Sequence, residues 1–135
     1  MALEPALSFT LVVVITGSCI YLMEQNEPRE SAADVFIRSK AQGNTAFKAG
    51  DYQGAVTAYM QGIAGFEKPI LTGDFAATLW SNTSLAHAKA EQWGLSLRAS
   101  ECALLCDSCH RKATFRQATA YARLGHGRAA CRAFK

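Results

Sequence analysis

The hydrophobic positions from residue 34 onward recur every three or four residues, which is the spacing of helices that bury one face. Clusters of Gly, Asp, Thr and Pro interrupt this pattern and mark turns, and no stretch alternates apolar and polar residues as a strand would. The pattern predicts five helices and a short sixth after Gly125–Gly127, and the five cover residues 34–50, 52–63, 75–91, 94–105 and 111–124. We therefore expect an all-α domain with short turns.

Polar residues separate this domain from an apolar N-terminal segment. Residues 24–35 form a short linker that contains Pro28, and Ser31 or Asp34 is placed to cap the first helix of the domain. Asp51 follows Gly50 at the first turn and is placed to cap the second helix. The sequence thus predicts an N-terminal region 1–30 and a helical domain 31–135.

The N-terminal segment from Ala6 to Met23 contains no charged residue. It is about 18 residues long, so as a helix it would span about 27 Å, close to the thickness of a bilayer core of about 30 Å. A cleaved signal peptide would need a basic start, a transit peptide would be Arg-rich and amphipathic, and a buried core helix would be shorter. We therefore expect a single retained transmembrane helix in contact with membrane lipid.

Basic residues predict the orientation of this span. None precedes it, whereas Arg29, Arg38 and Lys40 follow it. Because positive flanks stay on the cytosolic or matrix side, we expect the C-terminal domain on that side. A mitochondrial membrane is the favoured location, with the endoplasmic reticulum as the alternative.

Positions in the helical domain repeat with a period of about 34 residues, which is typical of helical-hairpin repeats that stack into a solenoid. Asn82 and Arg116 are separated by this interval, and so are Ser96 and Ala130. With an insertion near residues 70–76, the predicted units are 36–69, 77–110 and a shorter 111–135.

The stretch GNTAFKAGDYQGAVTAYMQGI resembles a tetratricopeptide repeat (TPR). This resemblance implies that Gly43 and Ala55 are the small residues at which two helices pack closely, and that Tyr59 fills the space beside them. A close approach of this kind offsets the helix penalty of about 1 kcal/mol that glycine carries. The resemblance implies about 2.5–3 repeats, with departures from the pattern at Gly62, Ser96 and Ser100.

The first helix of each unit in such repeats lines a concave groove. Residues four apart share a helix face, and charged donors bind carboxylates more strongly than neutral donors do. Five side chains of suitable chemistry stand on these helices: Lys40, Asn44, Asn82, Lys112 and Arg116. They resemble the two-carboxylate clamp of TPR co-chaperones, which implies binding of the acidic C-terminal tail of a heat-shock chaperone.

Charge changes the choice of partner only slightly. The net charge is +3, and residues 111–135 contain seven Lys or Arg and no acid. This basic end favours an acidic partner, but it lacks the interleaved aromatic residues of a nucleic-acid interface, and we expect no nucleic-acid binding.

A cysteine cluster offers the only candidate chemistry of another kind. Cys106, Cys109 and His110 match a haem-attachment pattern. Together with Cys102 they are also a possible, though crowded, set of zinc ligands. In an oxidising compartment, Cys106 and Cys109 could instead form a disulfide. We interpret Cys102 and Cys106 as small core residues on the fourth helix, and we expect no cofactor, no metal and no enzymatic activity.

Two functions remain. The favoured one is a membrane-anchored interaction adaptor that binds an acidic C-terminal peptide in its groove. The alternative is a non-catalytic accessory subunit of a large membrane complex, possibly a mitochondrial respiratory one, whose groove an acidic neighbouring subunit fills.

Overall fold

The structure is a computed structural model that describes residues 30–66 and 73–134. The described residues form six helices, and the first five begin and end within two residues of the predicted positions. In chain order they are α1 (Ala32–Lys48), α2 (Tyr52–Ala64), α3 (Gly73–Lys89), α4 (Trp93–Cys106), α5 (Arg111–Arg123) and α6 (Gly127–Ala133). The all-α prediction is confirmed for this part of the chain.

The predicted membrane span at residues 6–23 lies outside the described residues. Within residues 30–66 and 73–134, none of the helices combines the length and the apolar character that crossing a bilayer requires.

Side-chain caps fix where three of the helices start. Ser31 accepts a hydrogen bond from the backbone N–H of Asp34 at 3.2 Å, so Ser31 is the N-cap of α1. Asp51 accepts one from the N–H of Gly54 at 2.8 Å and caps α2. His110 Nδ1 accepts one from the N–H of Ala113 at 3.2 Å and caps α5. Each cap satisfies a backbone donor that the first helical turn leaves without a partner.

The helices stack as a solenoid. Each helix packs against the next one in the chain, and α3 also contacts both α1 and α5. Small residues dominate the buried interior, which lets the helices approach closely, and the larger fully or nearly buried side chains include Tyr59 and Leu79. Between α1 and α3, the rings of Phe36 and Phe75 stack with their centroids 4.6 Å apart. The helices α1, α3 and α5 therefore form one neighbouring set.

Two glycines mark the closest approaches between helices. A Cβ atom built on Gly43 would lie 2.6 Å from Tyr59 Cζ and closer still to two other ring atoms. A Cβ built on Gly62 would overlap Ser39 and lie 3.0 Å from Leu79 Cδ1. The sequence prediction that Gly43 permits close packing is confirmed, and Tyr59 is the residue that occupies the space.

Serines link the two helices of the second hairpin. Ser84 Oγ of α3 donates to the backbone oxygen of Ser96 at 2.8 Å, and Ser96 Oγ of α4 donates to that of Ser84 at 2.9 Å. Both serines are buried. Ser96 therefore departs from the apolar pattern of the repeat because it has a polar partner of its own.

Candidate functional site

The five predicted binding residues lie on α1, α3 and α5. Lys40 and Asn44 belong to α1, Asn82 to α3, and Lys112 and Arg116 to α5. Because α3 contacts both of the other helices, the three helices form a continuous surface. Within α1 and within α5, the four-residue spacing places the two side chains one turn apart on one face.

Asn44 is held by a residue of the second helix. The Tyr59 hydroxyl donates a hydrogen bond to Asn44 Oδ1 at 2.7 Å. The Tyr59 side chain is 2% exposed, whereas Asn44 is half-buried. Burial raises the pKa of Tyr59, and the positive charge of Arg116 opposes this rise. Tyr59 is therefore a neutral donor at physiological pH, and it lies within electrostatic range of Arg116.

Arg116 is anchored on α3. Its Nη1 donates to the backbone oxygen of Ser81 at 2.7 Å and also bonds the Ser81 hydroxyl. Burial lowers the pKa of the Arg116 guanidinium, and the interaction with Tyr59 opposes that change. Since the pKa of arginine starts far above neutrality, the guanidinium keeps its charge.

Tyr59 of α2 thus holds Asn44 of α1, and Ser81 ties Arg116 of α5 to α3 next to Asn82. Asn82 is half-buried. Of the predicted set, Arg116 contacts the α3 segment that carries Asn82, and Asn44 contacts α2.

The two predicted lysines lie at the exposed ends of the set. Lys40 is exposed, and its Nζ lies 5.3 Å from the centre of the Phe36 ring. This is a cation–π geometry. Lys112 is exposed in the first turn of α5. Their shared role with Asn44 and Arg116 stays a prediction from helical register.

Sequence reasoning missed two residues that organise the site. The sequence pattern indicates only a packing role for Tyr59, and it gives no role to Ser81. Ser81 immediately precedes Asn82 and is 1% exposed. A small polar residue on an otherwise buried helix face is a signal for an internal hydrogen bond. The partner, Arg116, is 35 positions away and has no local signature.

A cavity of about 320 Å³ adjoins Arg116 between α3, the start of α4 and α5. Apolar side chains including Leu85, Trp93 and Phe115 line it together with basic ones. The guanidinium carbon of Arg123 lies 5.1 Å from the centre of the Trp93 ring. The cavity therefore offers an apolar surface beside three basic side chains and the acidic side chain of Glu91.

The cysteine cluster has no geometry for a metal among the described residues. No group of three or more His, Cys, Asp or Glu side chains in that part of the chain is arranged to hold an ion. Cys102 and Cys106 are half-buried on α4, and burial raises the pKa of both thiols. These two thiols are therefore protonated near neutral pH, which makes them poor nucleophiles.

Comparisons with known proteins identify the repeat. The fold is similar to the second TPR domain of human RPAP3 in complex with the HSP70 peptide SGPTIEEVD, with a TM-score of 0.67 and 29% identity over 77% of this chain and 81% of that one. It is also similar to the second TPR of Spaghetti (RPAP3) bound to the HSP90 peptide SRMEEVD, with a TM-score of 0.65 and 30% identity over 74% and 81% of the two chains.

Two further proteins are similar to this chain. The N-terminal domain of the stress-induced protein STI-1 from C. elegans shares the fold, with a TM-score of 0.65 and 20% identity over 78% of this chain and 83% of that chain. Sperm-associated antigen 1 of Rattus norvegicus is 33% identical over 84 residues, 62% of this chain. This chain spans about 8% of the length of that relative. No protein-family model matches the chain.

The stacked hairpins and their groove define a helical-repeat domain of the kind that mediates protein–protein interactions. The chain belongs to the tetratricopeptide-repeat family, and its domain resembles the TPR domains of RPAP3.

Proposed function

We propose that this protein is an adaptor that binds the acidic C-terminal tail of an HSP70- or HSP90-type chaperone. The binding residues are Lys40, Asn44, Asn82, Lys112 and Arg116. The observation that carries the proposal is that the five residues lie on three neighbouring helices, where Tyr59 holds Asn44 and Ser81 holds Arg116. Two similar domains hold peptides that end in EEVD, which supports the same class of ligand here.

The chemistry of the residues suits a peptide carboxyl terminus. The last residue of an EEVD tail carries two carboxylates, one on the aspartate side chain and one on the chain end. Lys and Arg supply charge, and the two asparagine amides supply neutral donors. Because Lys40 and Lys112 are exposed, salt should screen much of their contribution.

Fluorescence anisotropy with the labelled peptide SGPTIEEVD tests this function on the full 135-residue chain in detergent micelles. We expect binding that weakens as salt rises from about 50 to 300 mM, because the Debye length shortens. Replacing the terminal carboxylate of the peptide by an amide should remove most of the affinity. No binding, or equal binding of acid and amide peptides, would contradict the proposal.

Substitutions in the chain locate the site. Lys112→Ala and Asn82→Ala should each weaken binding about three- to tenfold, the range expected for one donor to a charged group. Arg98→Ala is the matched control, since Arg98 is an exposed base on α4, outside the three groove helices. If Arg98→Ala weakens binding as much as Lys112→Ala does, a diffuse basic surface binds the peptide and the clamp is refuted.

We also propose that residues 6–23 anchor the adaptor in a membrane, with a mitochondrial membrane as the favoured one. The support is the uncharged apolar composition of that segment. Alkaline carbonate extraction of native membranes should leave the full chain in the pellet and release a variant without residues 1–30. Comigration of the chain with a large membrane complex on a native gel, without a chaperone, would instead favour the accessory-subunit alternative.

A further inference from the structure

We propose that Tyr59 is a positioning residue of this site: its buried hydroxyl fixes the side-chain amide of Asn44 with Oδ1 turned inward and Nδ2 turned toward the groove. This inference rests on the proposed function for its binding consequence. Its structural part stands on the contacts of Tyr59 with Gly43 and Asn44.

The orientation of an asparagine amide decides what it can bind. Oδ1 only accepts hydrogen bonds, whereas the Nδ2 amino group only donates them. A groove that presents Nδ2 attracts a carboxylate, and the same groove with Oδ1 outward repels it. Asn44 therefore contributes to carboxylate binding only while its amide is held in one of the two orientations.

The Tyr59 hydroxyl selects that orientation. Its oxygen lies 2.7 Å from Asn44 Oδ1. A phenol can donate or accept, so this contact by itself would allow either end of the Asn44 amide to face it. The structure places Oδ1 against the hydroxyl, so Tyr59 donates and Asn44 accepts. With Oδ1 engaged by Tyr59, the Nδ2 amino group of Asn44 faces away from the hydroxyl and can donate to another partner.

Gly43 allows the ring to reach this position. The Tyr59 ring passes directly over Gly43, where a Cβ would lie 2.6 Å from Cζ. The next residue in α1 is Asn44, so the glycine under the ring and the asparagine that bonds the Tyr59 hydroxyl are adjacent in sequence. Since Tyr59 is 2% exposed, it is shielded from a peptide in the groove, and it acts through Asn44.

A double-mutant cycle on the full chain distinguishes positioning from general stability. Tyr59→Phe keeps the ring and removes the hydroxyl, and we expect it to weaken SGPTIEEVD binding about three- to tenfold, the cost of ordering one released side chain on binding. In an Asn44→Ala background the same change should alter affinity by no more than about 1.5-fold. A loss of equal size in both backgrounds, or no loss in the parent, would overturn the proposal.

Tyr121→Phe is the matched control. It also removes a hydroxyl. This hydroxyl donates to Glu101 Oε1, with 3.3 Å between the two oxygens, and not to Asn44. We expect it to leave the peptide affinity unchanged. If Tyr121→Phe weakens binding as much as Tyr59→Phe does, a specific role of the Tyr59 hydroxyl is refuted.

If the parent binds no peptide, the proposed function is refuted but the positioning role of Tyr59 is not. A second measurement tests that role without peptide. The side-chain NH₂ resonances of Asn44 can be assigned by NMR as the pair missing from Asn44→Ala. We expect this pair to shift or broaden in Tyr59→Phe and to stay in place in Tyr121→Phe. An unchanged pair in Tyr59→Phe would overturn the positioning role regardless of peptide binding.

Discussion

Replacing Gly43 by alanine adds one methyl group at the closest contact between α1 and α2. The new Cβ would lie 2.6 Å from Tyr59 Cζ and closer to Cδ1 and Cε1. The obstacle is a rigid ring that is 2% exposed and that packs in the core with Ala55 and Val56. Either the ring must leave its position or the two helices must separate.

The two opposing effects of this substitution can be compared. Alanine gains about 1 kcal/mol over glycine within a helix. Overpacking a well-filled core costs about 1–3 kcal/mol. Moving the ring would also break the hydrogen bond to Asn44, and such a bond contributes about 1 kcal/mol. We expect Gly43→Ala to destabilise the domain by about 2 kcal/mol, or roughly 10 °C in melting temperature.

Urea and thermal unfolding followed by circular dichroism measure this effect. Gly94→Ala is the matched control, because Gly94 lies in the first turn of α4 with no atom within 4 Å of a built Cβ. That variant should gain about 0.5–1 kcal/mol from the same change in helix propensity. If Gly43→Ala proves as stable as the parent, or gains stability as Gly94→Ala does, the role assigned to the contact with Tyr59 is refuted.

Three further predictions follow from the packing. Ser84→Ala should lower the free energy of unfolding by about 1–3 kcal/mol, because it leaves buried polar groups of Ser96 with fewer hydrogen-bond partners. Urea unfolding measures this effect, and Ser108→Ala, at an exposed site, is the control. Gly62→Ala should destabilise by about 1–3 kcal/mol through overlap with Ser39, and a melting temperature equal to that of the parent would contradict the contact. Because burial raises the pKa of Tyr59, the unfolded chain releases the phenolic proton at a lower pH than the folded chain does. The free energy of unfolding should therefore fall as pH rises past about 10. Tyr59→Phe should reduce this pH dependence.

Local sequence patterns were sufficient to predict the positions of the helices and of the turns between them. Helical periodicity depends on neighbours three and four positions away, and caps such as Ser31 and Asp51 act within three residues. The short-range signals of the chain therefore agree with its secondary structure. The same local pattern around Gly43 was enough to indicate a tetratricopeptide hairpin and the close approach of its two helices.

The binding residues were predicted as a set from register, but what holds them was decided only in three dimensions. Tyr59 meets Asn44 and Ser81 meets Arg116 because the helices stack, and no spacing in the sequence encodes these partners. Likewise, Gly62 and Ser96 departed from the repeat pattern without a visible reason until the structure placed Ser39 and Ser84 against them. Sequence specifies local conformation because its causes lie within one or two helical turns, whereas contacts between helices depend on packing across the whole solenoid.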